Sequence, residues 1–399
     1  MPVTARPVVT SATMVLAAAF GVLFIGGGAR FAIGLTLKSV VEEFGWGRSE
    51  LGIAVALFQI VSAACMYVAG RLSDRTNPRL VLGGGLAIAG LGIGLMSLMA
   101  APWHALLLYG VVFAIGHGAA SLIPVGVLVT RAFSRRTGLA NAVVSSGMSV
   151  GQLVVIAALA AVLVAIGWRS VFFWLGVAHL GLVPLLLLAI PAAGGRGGAA
   201  AAAAPAGLDA RQAARTRQFW LLLGVYALCG LDDFFVSTHV VAFAQDRGLD
   251  AFLAGSLLAW MGLAALVGVV ASGVWSDRSG PVWPTAVSFV ARLAVFVLIL
   301  ADQSTVSVAI FALMFGATFL VTAPLTVVFV VQSFGTKHLG ALSGLIIMVH
   351  HVFGGLGAYL GAAAFDRLGG YDLAFVVMLS SNVLAAALTL GLRRARSAD

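Results

Sequence analysis

Twelve apolar stretches, each about the length of a membrane-crossing helix, follow one another from residue 12 to residue 392. No other property restricts the fold so strongly. They lie at 12–36, 50–70, 80–100, 104–130, 138–166, 170–191, 218–244, 251–273, 282–301, 304–332, 339–364 and 373–392. Hydrophobic residues make up 61% of the chain and charged residues 9%, and the mean hydropathy is +1.08. That leaves too little charge to cover a water-facing surface, so an all-α membrane protein of twelve transmembrane helices is expected. The first stretch is too long for a signal-peptide core and runs through Gly26-Gly27-Gly28 to Arg30 without a small-residue cleavage site. It is expected to stay as the first helix.

The charges orient the chain. With both termini in the cytoplasm, most of the 23 Lys and Arg fall on that side. They include Arg71, Arg75 and Arg79, then Arg131, Arg135 and Arg136, and finally Arg393, Arg394 and Arg396. This is the positive-inside pattern. The net charge of +9 is therefore a topology signal, and no nucleic-acid partner is expected. One segment, 192–217, breaks the apolar rhythm with Ala, Gly and Arg. It reads as a cytoplasmic linker between an N-terminal half, 1–191, and a C-terminal half, 218–399, and its Arg-rich end suits anionic headgroups. Cys65 and Cys229 lie inside apolar stretches without metal-ligand spacing and read as small packing residues. No phosphate loop, nucleotide motif or metal constellation occurs, so neither an enzyme nor a cofactor nor a metal site is expected.

The two halves repeat. Gly70-Arg71-Leu72-Ser73-Asp74-Arg75 returns as Gly273-Val274-Trp275-Ser276-Asp277-Arg278, 203 residues later (273 − 70). Gly45 and Gly248 share that offset, and Phe133-Ser134 with Gly138-Leu139-Ala140 is echoed by Phe334-Gly335 with Gly340-Ala341-Leu342. Duplicated six-helix halves around a pathway are the architecture of secondary transporters. The two G-x-x-S-D-R loops resemble the signature of the major facilitator superfamily and its weaker second copy. That resemblance implies two pseudo-twofold halves, with Asp74, Arg75, Asp277 and Arg278 as a cytoplasmic latch that breaks and reforms during alternating access.

Within the superfamily, four stretches are similar to the bacterial monocarboxylate and oxalate/formate-type branch. They are GGGARFAIGLTLKSVVEEFGWGR, RAFSRRTGLANAVVSSGMSVGQ, THVVAFAQDRGL and KHLGALSGLIIMVHHVFGGLGAYLG. The resemblance implies a monomeric carrier of a small-molecule carboxylate, such as lactate or pyruvate, in the bacterial inner membrane. It also implies protons as the coupling partner, by symport or exchange. One departure concerns the substrate: that branch often carries an Arg in its eighth helix, where this chain reads SLLAWMGLAALVGVVASGVW. The glycine–proline motif of the superfamily's drug/proton antiporters is also absent, since SSGMSVGQLVV supplies Gly147 and Gly151 but no proline. That spacing suits close helix packing.

Charges near a bilayer centre cost about 2.5–3.5 kcal/mol even on the lenient insertion scale, so they usually face a cavity. Four qualify: Arg30, Asp232, Asp233 and Arg292. The repeat maps Arg30 onto Asp233, on helices that line the central cavity in the resembled fold. As a functional pair, Arg30 binds the substrate carboxylate and Asp233 carries a proton; as a structural pair, they only hold the halves together. Asp232 sits seven residues before His239, on one helix face, and either forms a carboxylate–imidazole relay with it or is solvated. Arg292, on a helix peripheral in the resembled fold, is expected to snorkel or pair locally. His117, His239 and His351 are candidate substrate contacts, with His351 favoured by register over His350, and structural hydrogen bonds are the alternative for each. Phe31 and Trp260, with Tyr226, Phe234 and Phe319, are candidate pocket walls. Two other readings stay open: export of a cationic compound held by Asp232 and Asp233, and a receptor that no longer cycles.

Overall fold

A computed structural model describes residues 6–133, 137–190, 207–335 and 337–392. Most of the 192–217 linker, and the clusters around Arg135 and Arg393, lie outside the described residues. The first span is α1 (Arg6–Ala29) and α2 (Ala32–Phe44), separated at Arg30–Phe31, followed by α3 (Arg48–Arg75) and α4 (Pro78–Leu95). The fourth span combines α5 (Pro102–Leu107), a π-helical turn at Leu108–Phe113, α6 (Ala114–Ala119) and α7 (Leu122–Ala132). Then come α8 (Thr137–Ala189), the short α9 (Ala210–Ala213), α10 (Arg217–Asp246), α11 (Ala251–Ser279) and α12 (Val282–Ala301). The tenth span is α13 (Thr305–Phe319) plus α14 (Thr322–Phe334), and α15 (Leu339–Leu368) and α16 (Asp372–Gly391) complete the series.

Among the described residues, eleven helical runs are long and apolar enough to cross a membrane. The longest, α8, departs from helical geometry at Gly167 (φ 74°, ψ 161°), a conformation open to glycine at low cost. It is therefore two spans, and the total is twelve.

Local sequence sets the helix ends. Asn77 accepts a hydrogen bond from the Arg79 amide with Pro78 in the first turn, Thr216 accepts from Phe219 N, and Asp250 accepts from Phe252 N and Leu253 N. Each satisfies amides that a helix start leaves orphaned. The internal repeat is visible in the breaks. The fourth span breaks at Ala120–Ser121 and the tenth at Leu320–Val321, close to the offset seen in the sequence.

The chain clusters into two compact units, one of residues up to 32 with 57–200, the other of 33–56 with the residues from 201 onward. In the first unit, α1 packs on α8 so closely that a Cβ on Gly151 would collide with the Phe24 carbonyl. The Gly147-x-x-x-Gly151 spacing is thus a close-packing surface. In the second unit, α10 packs on α15 with Gly230 at the point of nearest approach, where a Cβ would strike the His350 carbonyl. That approach sets His350 beside the polar residues of α10.

Candidate functional site

The second unit gathers ion pairs in two separate clusters, one fully buried and one at partly exposed helix ends. The first centres on Arg292, fully buried on α12. Its Nε donates to Thr318 Oγ1 (3.0 Å) and its Nη2 to Thr318 O (3.0 Å), where α13 ends and its last carbonyls lose their i+4 amide donors. Nη2 lies 2.7 Å from Asp233 Oδ1, and Nη1 lies 3.9 Å from Asp232 Oδ2. The ring of Phe315 stacks against the guanidinium, 4.6 Å from centroid to Cζ. The break in the tenth span therefore supplies a carbonyl, and α10 supplies two carboxylates.

Asp233 is divided between two neighbours. While Oδ1 faces Arg292, Oδ2 lies 3.1 Å from His350 Nε2 and accepts from Cys229 Sγ (3.5 Å). Cys229 and Asp233 are four residues apart, hence on one face of α10. Asp232 points to another side, where its Oδ1 accepts from Ser381 Oγ of α16 (2.7 Å). Tyr226 continues the network, donating to Thr322 O (2.8 Å) and accepting from Thr326 Oγ1 (2.8 Å). In formal charge the cluster sets one arginine against two carboxylates. Such burial is tolerable only while each ion keeps partners.

The second cluster sits at helix ends. The Arg48 guanidinium meets Asp246 Oδ2 at 2.7 Å, donates through Nη1 to Tyr371 OH, and lies 3.6 Å from the Phe365 ring centroid. The Arg48 and Ser49 amides both donate to the Asp366 carboxylate, each at 2.8 Å. A residue of α15 thereby caps the N-terminus of α3, where negative charge is favoured. Lys38 Nζ adds a contact to Asp246 at 3.1 Å. Tyr371 OH donates to His239 Nδ1 (3.1 Å), and His239 Nε2 donates to Ala358 O (2.8 Å). Burial and the lost solvation of a phenolate hold the Tyr371 hydroxyl well above its ordinary range, so it stays a donor. Phe315, Phe311 and Phe375, in successive ring contacts ending on Tyr371 at 5.9–6.2 Å, run between the two clusters.

The repeat maps Asp233 onto Arg30; within this unit the cation beside Asp233 is Arg292, because the broken tenth span and α10 converge on α12. Asp232 and His239 form no relay: both imidazole nitrogens are engaged by Tyr371 and Ala358, and Asp232 turns to Ser381 and Arg292. His350 reaches Asp233, and His351 Nδ1 donates to the Ile347 carbonyl one turn back (2.9 Å). Cys229, read as an inert filler, touches Asp233. Trp260 is 52% exposed on α11.

Arg48, Asp246, Asp366 and Tyr371 form a cluster that no motif in the sequence marks. The available signal was the acidic residue ending the seventh and eleventh spans, Asp246 before Arg247-Gly248 and Asp366 before Arg367.

In the first unit, Arg30 occupies the break between α1 and α2, where Tyr109 OH donates to its carbonyl (2.7 Å). Its guanidinium lies 4.4 Å from the ring centroid of the buried Phe31. His117 Nδ1 lies 3.1 Å from Ser62 Oγ, among Phe58 and Phe113. Of the latch residues, Arg75, Asp277 and Arg278 are exposed, and the Asp74 side chain lies outside the described residues.

The chain matches the model of the family described as the Major Facilitator Superfamily over residues 19–265 and 222–399. It is 24% identical to an MFS-type transporter, YcxA, of Bacillus subtilis over 90% of this chain and 92% of that protein. It is 26% identical to monocarboxylate transporter 11 of Mus musculus (96% of this chain, 87% of that one). For monocarboxylate transporter 13 of Rattus norvegicus the identity is 27% (90% and 80%). Its fold is similar to that of a bacterial homologue of the human lysosomal transporter Spinster, with a TM-score of 0.76 at 15% identity, covering 98% of each chain. The nucleoside transporter NupG gives a TM-score of 0.76 at 13% identity, covering 97% of this chain and all of NupG.

Proposed function

Because the chain belongs to the Major Facilitator Superfamily, a family of membrane transporters, we propose that it carries small monocarboxylates across the cytoplasmic membrane of a bacterium, coupled to protons, by alternating access. The observation that carries this reading is the arrangement of Asp232 and Asp233 around the one arginine, Arg292. A substrate carboxylate can take Arg292 only in competition with Asp233. A proton on Asp233 removes that competitor, so substrate and proton load together. The same cluster refuses an anion while Asp233 is charged, because a third buried carboxylate against one guanidinium carries a desolvation penalty of several kcal/mol. The relatives named for monocarboxylate transport support the substrate class.

His350 suits the exchange of that proton, since its imidazole meets Asp233 Oδ2 and its side chain is 16% exposed where those of Arg292 and Asp233 are at most 4%. In the first unit, Arg30 with Phe31 and His117 is a further proposed contact for an anion: a cation placed at a helix break beside an aromatic face. Asp74, Arg75, Asp277 and Arg278 are proposed as the latch between two halves joined by residues 192–217.

The test is uptake of labelled lactate, and of a labelled organic cation, into proteoliposomes with an imposed inward proton gradient. Lactate accumulation that follows the gradient is expected. The excess of carboxylates over cations in the cluster is what favours the second reading, export of a cationic compound, and exchange of protons for the cation without lactate movement would establish it instead.

A further inference from the structure

The geometry points to a binding site for a transition-metal ion of the zinc class, formed by Cys229 Sγ, Asp233 Oδ2 and His350 Nε2. The three atoms lie within 4.8 Å of one another, with Asp233 Oδ2 at 3.5 Å from the sulfur and 3.1 Å from the imidazole nitrogen. One ion at about 2.0–2.3 Å from each donor fits that spacing with only small shifts. Thiolate, imidazole and carboxylate are the donor types that borderline ions select, and calcium or magnesium would want oxygen instead.

The surroundings also fit. Asp233 presents one oxygen to the ion while the other stays with Arg292 Nη2 at 2.7 Å, the kind of outer partner that orients a ligating carboxylate. Arg292 is a cation nearby, so the charges must be counted. Asp232, Asp233 and a Cys229 thiolate sum to three negative charges, Arg292 returns one, and a divalent ion brings the cluster to neutrality. Binding replaces the thiol proton: Cys229–SH and M²⁺ give the metal thiolate and one released H⁺. The edge open to an entering ion is His350, 16% exposed. Three protein donors leave a fourth position for water or an anion.

An ion there ties α10 to α15 and occupies the Asp233 oxygen that faces His350. The transport consequence rests on the function proposed above, but the binding does not. The test therefore reads binding directly, on the full-length purified protein. X-ray absorption of the zinc-loaded wild type should show one sulfur at about 2.3 Å and nitrogen or oxygen donors at about 2.0–2.2 Å. With cobalt as probe, a thiolate charge-transfer band should appear, vanish in Cys229→Ser, and persist in Cys65→Ser. His350→Ala should weaken zinc binding by at least about tenfold.

A zinc shell without sulfur overturns the proposal, as does a cobalt band that survives Cys229→Ser. If Cys229→Ser fails to fold, the wild-type absorption measurement still decides. Sulfur-ligated zinc in a protein that moves no lactate would leave this site standing and remove the monocarboxylate reading.

Discussion

Arg292 and Arg48 are both buried arginines with carboxylate partners, an aromatic lid and a histidine close by, yet their surroundings differ in charge. Around Arg48, two cations (Lys38 and Arg48) both meet Asp246, Lys38 also lies 3.9 Å from the exposed Glu42, and Asp366 is held by two backbone amides at a helix start, so every carboxylate there has its own donors. Around Arg292, one cation meets Asp232 and Asp233 inside the apolar span. The balanced cluster is complete as it stands and works as a clamp. The unbalanced one reaches balance only by gaining a proton or another cation, which is the behaviour proton coupling requires. Arg48 also donates to the Tyr371 hydroxyl, whose burial keeps it a neutral partner, whereas the second oxygen of Asp233 faces Cys229 and His350.

That contrast is broken most severely at Arg292. Arg292→Ala leaves two carboxylates buried without a cation and should cost about 3–5 kcal/mol of stability, read as a lowered Tm in detergent and loss of uptake. Arg292→Lys should restore folding in part, yet bind an anion poorly, because an ammonium lacks the planar fork. A fully active Arg292→Ala protein would show that the pair is dispensable and the proposed competition false.

Asp233→Asn should separate the two halves of the mechanism. It imitates the protonated state, so counterflow of substrate should continue while a pH gradient no longer drives accumulation, a loss of at least about tenfold. Measuring both in one preparation distinguishes this from misfolding. Gradient-driven uptake at the wild-type level would remove Asp233 from coupling.

At the balanced cluster the expectation is milder. Asp366→Ala removes a helix-capping carboxylate and should cost about 0.5–2 kcal/mol, while Arg48 keeps Asp246 and Tyr371. A Tm shift with pH-dependence of uptake unchanged is expected; an altered pH profile would erase the distinction between the two clusters.

Twelve helices were legible in the sequence because apolar length alone dictates them, and the 203-residue repeat carried the duplication. Gly147 and Gly151 were legible as a packing motif because close approach demands small residues wherever it occurs. The site was legible only as a set of residue types. Asp232, Asp233 and Arg292 stood out as charges in apolar helices, but their pairing depends on breaks in helices. Nothing in Thr318 to Thr322 announces that the tenth span stops there and turns a carbonyl toward Arg292. Symmetry points from Asp233 to Arg30 and is silent on Arg292, because a repeat predicts equivalent positions and not contacts. His350 and His351 differ by one residue, about 100° around a helix, which is more than register from sequence resolves. Arg48 was missed for another reason: a basic residue at a helix start looks like an ordinary loop charge until the carboxylates that cover it are in place.

The smallest effect is expected at His239, which tests whether the two clusters communicate along α10. Asp232 and His239 share a face in sequence, and a proton relay between them would link the unbalanced cluster to the clamp. In the structure His239 is fixed by a donated bond to Ala358 O and an accepted bond from Tyr371 OH, and the apolar rings of Phe311 and Phe375 lie between the clusters. A neutral imidazole with both nitrogens engaged has no free site to pass a proton. His239→Gln keeps one donor and one acceptor, so it should cost no more than about 1 kcal/mol and leave the pH-dependence of uptake in place. The measurement is the initial rate of gradient-driven uptake from pH 5 to pH 8 in His239→Gln beside the wild type. If the pH profile shifts while Tm holds, the clusters are coupled through this histidine and Asp233 is not the sole carrier of the proton. If both hold, His239 belongs to the clamp alone and the unbalanced charge at Arg292 is where proton and substrate meet.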